Sequence, residues 1–192
     1  DTGDSVFFAH TLLPLLVGSN RSKSIFDGYR GSLGEVPFYL GRLKVWQVLE
    51  EGETSVKFMD TVAVFELPCA FHNHLHIEPK SNTIATIDAA TQESIRFESH
   101  EFTQAFKVHC KDKRFAYDIV NPSFMESLLQ SPSVEVYLCT GLLLVNATDS
   151  NELSVESCKQ LFSVGQGVLR SLPRHILRDA KALWREHHSV RS

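Results

Sequence analysis

The sequence is poor in sulfur chemistry and has no long apolar run, and both shortages narrow what it can be. Its four cysteines, at positions 69, 110, 139 and 158, include no CxxC pair. That spacing excludes the common zinc-ribbon and redox motifs. Cys69, Cys110 and Cys139 sit in apolar, strand-like runs, where a thiol packs as a small hydrophobe, so all four are expected to be reduced. The stretch Val6–Val17 is apolar but broken by His10 and Pro14, far short of the ~20 residues a membrane span requires. Its flank carries Asp1 and Asp4 rather than the basic residues of a signal peptide. Positive charge is also short: the formal net charge is -4, which argues against a general nucleic-acid binder. There is no internal repeat, no GxSxG elbow and no local signature of a Cys-His nucleophile. Gly165-Gln-Gly167 lies in a helical pattern without a preceding strand, so it is no phosphate loop.

What is present describes an ordinary globular chain. Of 192 residues, 43% are hydrophobic and 22% charged, which suits one soluble domain with its own core. Thirteen Phe against two Trp and four Tyr point to a core rich in phenylalanine. The charge is uneven. From Arg170 onward six basic residues face two acidic ones, +4, while the preceding 169 residues carry thirteen basic and twenty-one acidic groups, -8. The chain opens at Asp1 without an initiator Met and is expected to be a fragment or processed product. Asn20-Arg-Ser22 and Asn146-Ala-Thr148 match the glycosylation sequon, which matters only in a secreted eukaryotic protein.

The periodicity predicts an α+β fold, a mixed or mainly antiparallel sheet covered by helices, ending in a helical hairpin. Residues 1–25 read as an N-terminal helix or cover, with Asp4 and Ser5 capping a helix to about Leu13 and a polar loop from Gly18 to Lys23. Residues 26–150 read as the sheet core with two short helices, and 151–192 as C-terminal helices. One or two strands fall within 26–49, another at Val56–Leu67 and another at Phe71–Glu78. Ile95–Glu98 and Phe106–Cys110 read as short strands around a helical turn at Ser99–Ala105. Asp112 caps a helix through Ile119. Asn121-Pro122 starts the next, with proline where its missing N–H costs nothing. Val134–Cys139 and Leu142–Val145 form a hairpin about Thr140-Gly141. Leu153–Leu172 is amphipathic, and Pro173 separates it from a helix whose stripe is Ile176, Leu177, Ala180, Leu183 and Trp184.

The central residues Glu98-Ser99, Phe102, Phe106-Lys-Val108, Asp112-Lys-Arg114, Ala116, Ile119, Pro122 and Phe124-Met-Glu126 carry a family pattern. This run resembles the core of bacterial, membrane-associated proteins of the DUF3137 type. Gly28-Tyr-Arg-Gly31, Glu66-Leu-Pro68, Ile77-Glu-Pro79 and Leu172-Pro-Arg174 match at the expected places. The resemblance implies a soluble domain on the cytoplasmic side of a bacterial membrane, in a parent with transmembrane helices ahead of it. It supplies no activity and no catalytic residues. Physically the motif reads as structure, with Phe102, Phe106, Phe115, Ala116 and Met125 as core and Asp112 and Asn121 as caps.

One constellation has metal-ligand character. On a strand, His72, His74 and His76 share a face, and an HxH pair offers two neutral nitrogens to zinc or another borderline metal. Strand rise of ~3.3 Å per residue separates the outer two by ~13 Å, so one ion takes two of them and needs a third ligand from a neighbouring strand. The competing expectation is a solvated polar face opposite Phe71, Leu75 and Ile77. Glu98 and Glu101 read as acidic residues at a helix start rather than an acid/base pair. The C-terminal helix sets Arg174, Arg178, Lys181 and Arg185 around Trp184, a surface for a partner or an anionic membrane. Docking of its stripe on the domain itself is favoured. The expected role is a non-catalytic module that binds a protein or small ligand, without a resident cofactor. The alternative is a metal-dependent hydrolase using His72, His74 and His76.

Overall fold

A computed structural model describes residues 21–48, 54–67, 69, 71, 73–81, 94–139, 141–147 and 153–189. Its centre is a seven-stranded sheet in the order β1-β2-β3-β7-β6-β4-β5, in which every neighbouring pair is antiparallel. The strands are β1 (Arg21–Leu33), β2 (Val36–Val48), β3 (Thr54–Glu66), β4 (Leu75–Pro79), β5 (Phe106–Cys110), β6 (Val134–Cys139) and β7 (Leu142–Ala147). Among the described residues five helices complete the α+β fold: α1 (His100–Ala105), α2 (Lys113–Ile119), α3 (Pro122–Leu129), α4 (Val155–Ser171) and α5 (Arg174–Ser189). The expected N-terminal helix lies outside the described residues.

The first three strands form a long antiparallel ribbon. β1 turns into β2 at Gly34, whose φ of +61° suits a residue without Cβ. Only Thr61–Glu66 of β3 pair with β7, so Thr54–Asp60 pair with β2 alone among the described residues. The region expected as a polar loop before residue 23 is already strand. Arg21–Lys23 pair with Val45–Gln47, and backbone pairing overrides a side-chain pattern too polar to announce a strand.

Period-two alternation gives the sheet two different faces. One face carries Phe65 of β3, Leu143 and Val145 of β7, Val136 and Leu138 of β6, Leu75 and Ile77 of β4, and Val108 of β5, all buried in one core. Over it, α4 packs on β3 and β7, α3 packs on α4, and α1 and α2 lie against β5. Gly165 lets α4 approach closely, because a Cβ there would lie 2.2 Å from the ring of Phe65. The phenylalanine core is realised: Phe65, Phe102 and Phe124 are fully buried, and Phe38, Phe65 and Phe162 form one aromatic cluster.

The caps follow the local sequence. Asp112 accepts from the amides of Arg114 and Phe115, and Asn121 accepts from Phe124. Asn121 also donates Nδ2 to the Ser171 carbonyl at 2.7 Å, tying the start of α3 to the end of α4. Ser154 and Ser157 form a capping box at the head of α4. Ile95–Glu98 is extended but not a strand. It is joined to β5 by the bond from Ile95 N–H to the Val108 carbonyl.

Candidate functional site

The second face of the sheet runs from apolar to polar. Val62 and Val64 of β3 and Leu144 of β7 are buried there, and next to them stand Asn146 of β7, Glu135 and Tyr137 of β6, His76 and Glu78 of β4, and Lys107 and His109 of β5. Glu78, His109, Glu135 and Asn146 are each less than a tenth exposed. The reason lies in three short alternating sequences, Leu75-His-Ile-Glu-Pro79, Phe106-Lys-Val-His-Cys110 and Val134-Glu-Val-Tyr-Leu138. In each, the apolar residues fill the helix-covered core, so the two polar ones must share the opposite face.

Strand order then assembles them. His76 lies directly across from His109 on one side and from Tyr137 on the other. Its ring stacks on Tyr137, with centroids 4.1 Å apart and planes 6° apart, and stands 5.7 Å from the His109 ring. Glu135 is the acceptor at the centre. His76 donates Nε2–H to its Oε1 at 2.7 Å, Tyr137 donates its hydroxyl to the same oxygen at 2.8 Å, and Asn146 donates Nδ2 to Oε2 at 3.2 Å. Burial acts to raise the Glu135 pKa, but these donors, with His76 foremost, outweigh it and hold the carboxyl below its ordinary value.

Glu78 makes a second, incomplete node. Its Oε1 accepts from Lys107 Nζ and His109 Nε2, both at 3.3 Å. Among the described residues, its Oε2 has no hydrogen-bond partner, nor does His109 Nδ1. A buried carboxylate oxygen left unmatched is costly, about 1–3 kcal/mol. Among the described residues, His76, Glu78 and Glu135 each present a ligand atom within 4.8 Å of the others.

His72 lies outside the described residues, and His74 is exposed ahead of β4, beyond the strand face that would align it with His76. His76 is on the sheet, in β4, and its side chain is only 13% exposed, so at this position the expected solvated face is replaced by a buried one. The residues that meet it, Glu78, His109, Glu135 and Tyr137, were not singled out from the sequence. Their alternation with core residues was the available signal.

Other candidates separate clearly. Glu98 and Glu101 are both exposed, Glu101 in the first turn of α1, which Ser99 caps. Gly165 and Gly167 are packing positions inside α4. Asn146 of the second sequon is buried in a strand, where no glycan fits. Cys69, Cys110 and Cys139 are free, buried thiols. Burial raises each of them, Cys69 to about 11 and Cys139 to about 12, the reverse of what a nucleophile needs.

Two further surfaces carry positive charge. At the end of β5, beside α1, a cleft of about 420 Å³ is lined by Lys80, Arg96 and Lys107 around Ile95, Thr103 and Phe106. On α5, Ile176, Leu177 and Ala180 pack toward the core, whereas Arg174, Arg178 and Lys181 are exposed. The first half of the stripe is therefore docked. The side chains of Leu183, Trp184 and Arg185 lie outside the described ones. No described helix is long and apolar enough to cross a membrane.

Residues 57–141 match the family model described as protein of unknown function (DUF3137). That span takes in β4, β5 and β6, and so His76, Glu78, His109, Glu135 and Tyr137. No curated protein matches the chain. Among solved structures, the crystal structure of the mycobacterial trehalose monomycolate transport factor A, TtfA, is similar at 13% identity and a TM-score of 0.43. The likeness covers 79% of this chain and 89% of that one.

Proposed function

We propose, for a chain whose residues 57–141 match the DUF3137 family model, a non-catalytic module that binds a small anionic ligand and works from a membrane-tethered bacterial parent. The cleft beside α1 carries this reading. Its volume of about 420 Å³ falls in the range of small-molecule sites, and such sites pair an apolar floor with a few convergent polar groups. Lys80 and Arg96 supply positive charge, Lys107 lines the cleft while paired with Glu78, Ile95 and Phe106 form the floor, and Thr103 adds a hydroxyl. In a chain of net charge -4, Lys80 and Arg96 together at one cleft favour an anion there.

Location on the cytoplasmic side of the membrane is supported by the family resemblance and by the shape of α5. Arg174, Arg178 and Lys181 recur at i, i+4 and i+7, so they project from one side of the helix. With the apolar residues 176, 177 and 180 turned inward, that basic side is left for an anionic lipid surface. A hydrolase using His72, His74 and His76 has less support, because His74 stands apart from His76.

The ligand reading is tested by calorimetric titration of the full chain with pyrophosphate as the probe. Wild type is expected to bind at one site, and a Lys80→Glu/Arg96→Glu double variant to lose at least tenfold in affinity. No heat of binding in wild type, or equal affinity in the variant, contradicts an anion site in this cleft. The tether is tested by carbonate and high-salt washes of membranes from cells making the full-length parent, which should retain it through both.

A further inference from the structure

The cleft leaves unexplained why a carboxylate oxygen is buried without a partner next to an imidazole and a second carboxylate. We propose that His76, Glu78 and Glu135 form a binding site for one divalent d-block cation, of which Zn²⁺ is the representative. Three observations carry the assignment. The ligand atoms of these side chains already lie within 4.8 Å of one another, on adjacent strands of one sheet. An ion bound at about 2.1 Å holds its ligand atoms roughly 3–4 Å apart, so this spacing is within reach of one ion once His76 gives up the hydrogen bond it donates to Glu135. Finally, Glu78 Oε2 is buried and unmatched, and a cation supplies the charge that this oxygen lacks.

The donor set fixes the class of ion. One imidazole nitrogen and two carboxylates, without a thiolate, suit Zn²⁺ or Mn²⁺ rather than Cu⁺. Two carboxylates balance the ion's charge in a largely buried site. Surrounding groups hold the ligands in place. Asn146 and Tyr137 orient Glu135, and Lys107 and His109 hold the other oxygen of Glu78, the supporting contacts that metal ligands depend on. The partial exposure of His76 leaves an edge for entry and for a water as fourth ligand. His109 is a positioning residue here, since its Nε2 faces Glu78 Oε1.

The test is Zn²⁺ uptake by the full chain, stripped with chelator and followed by equilibrium dialysis and by melting midpoint. Wild type is expected to take one equivalent at micromolar Kd or tighter and to melt higher as Zn²⁺ rises. Glu78→Gln and Glu135→Gln should each weaken uptake at least tenfold, with fold checked by circular dichroism, while His74→Ala stays within twofold of wild type. Should Glu135→Gln fail to fold, Glu78→Gln decides alone, because it keeps an oxygen to accept from Lys107. Absence of uptake by wild type overturns the site. So does uptake that survives Glu78→Gln, or uptake lost in His74→Ala, which would place the ion on the exposed histidine.

Discussion

Glu135 shows how much one side chain carries in this protein. It accepts from His76, Tyr137 and Asn146 in a place closed to water. Truncation to alanine would leave His76 and Tyr137 without this acceptor, so Glu135→Ala is expected to lower unfolding free energy by about 3 kcal/mol, as for a broken buried pair. Urea denaturation measures this, and a loss below about 1 kcal/mol would mean the network rearranges freely. The thiols give a second residue-scale expectation. Cys139 ionises at about 12 and Cys69 at about 11, against an ordinary 9.0. Because the unfolded thiols ionise first, their contribution to stability is complete below pH 9 and is lost as pH rises through 11 to 12. Cys139→Ala should therefore flatten the fall in melting midpoint above pH 9, whatever it costs in packing at pH 7.

Among the elements, α4 is held by close approach at one glycine. In Gly165→Ala the new methyl would overlap Phe65, whose ring is fixed between Phe38 and Phe162. The expected destabilisation is about 1–3 kcal/mol. At Gly167 a Cβ would lie 2.6 Å from Ser127 Oγ and 2.9 Å from its Cβ. The hydroxyl can turn but the Cβ cannot, so Gly167→Ala is also expected to destabilise, by less than Gly165→Ala because alanine favours helix. Thermal melts of the two variants compare them directly. The join between α3 and α4 rests on Asn121, which caps one helix and donates to the last turn of the other. Asn121→Ala is expected to cost about 1–2 kcal/mol, and Asn121→Ser less than the alanine if capping dominates over the tie to Ser171. These elements were also the most legible in the sequence. Asp112, Asn121-Pro122, Pro173 and the hairpin at Gly141 mark boundaries through local chemistry, and the helices and hairpin formed where those marks placed them. β1 was harder to place, because Arg21-Ser-Lys-Ser24 has no apolar period and becomes strand through its partner β2.

At the scale of the whole molecule, the limit of sequence reading was adjacency. His76, Glu78, His109, Glu135 and Tyr137 each alternate with core residues, so which face they occupy was readable. Which strand stands beside which was not, since β4 lies between β5 and β6 and the chain reaches that order only by crossing over β7 and β6. The histidine triplet drew notice because its members are close in sequence, while His109 and Tyr137, which flank His76 on the neighbouring strands, are 33 and 61 positions away in sequence. The cleft has the same character, drawing Lys80, Arg96 and Lys107 from three separate segments. Its role as the ligand site is tested most directly by backbone amide spectra of the full chain during titration with pyrophosphate. Saturable shifts centred on Lys80, Ile95, Arg96, Thr103 and Lys107 are predicted. Shifts confined to Arg174, Arg178 and Lys181 on α5, or none at all, would contradict it.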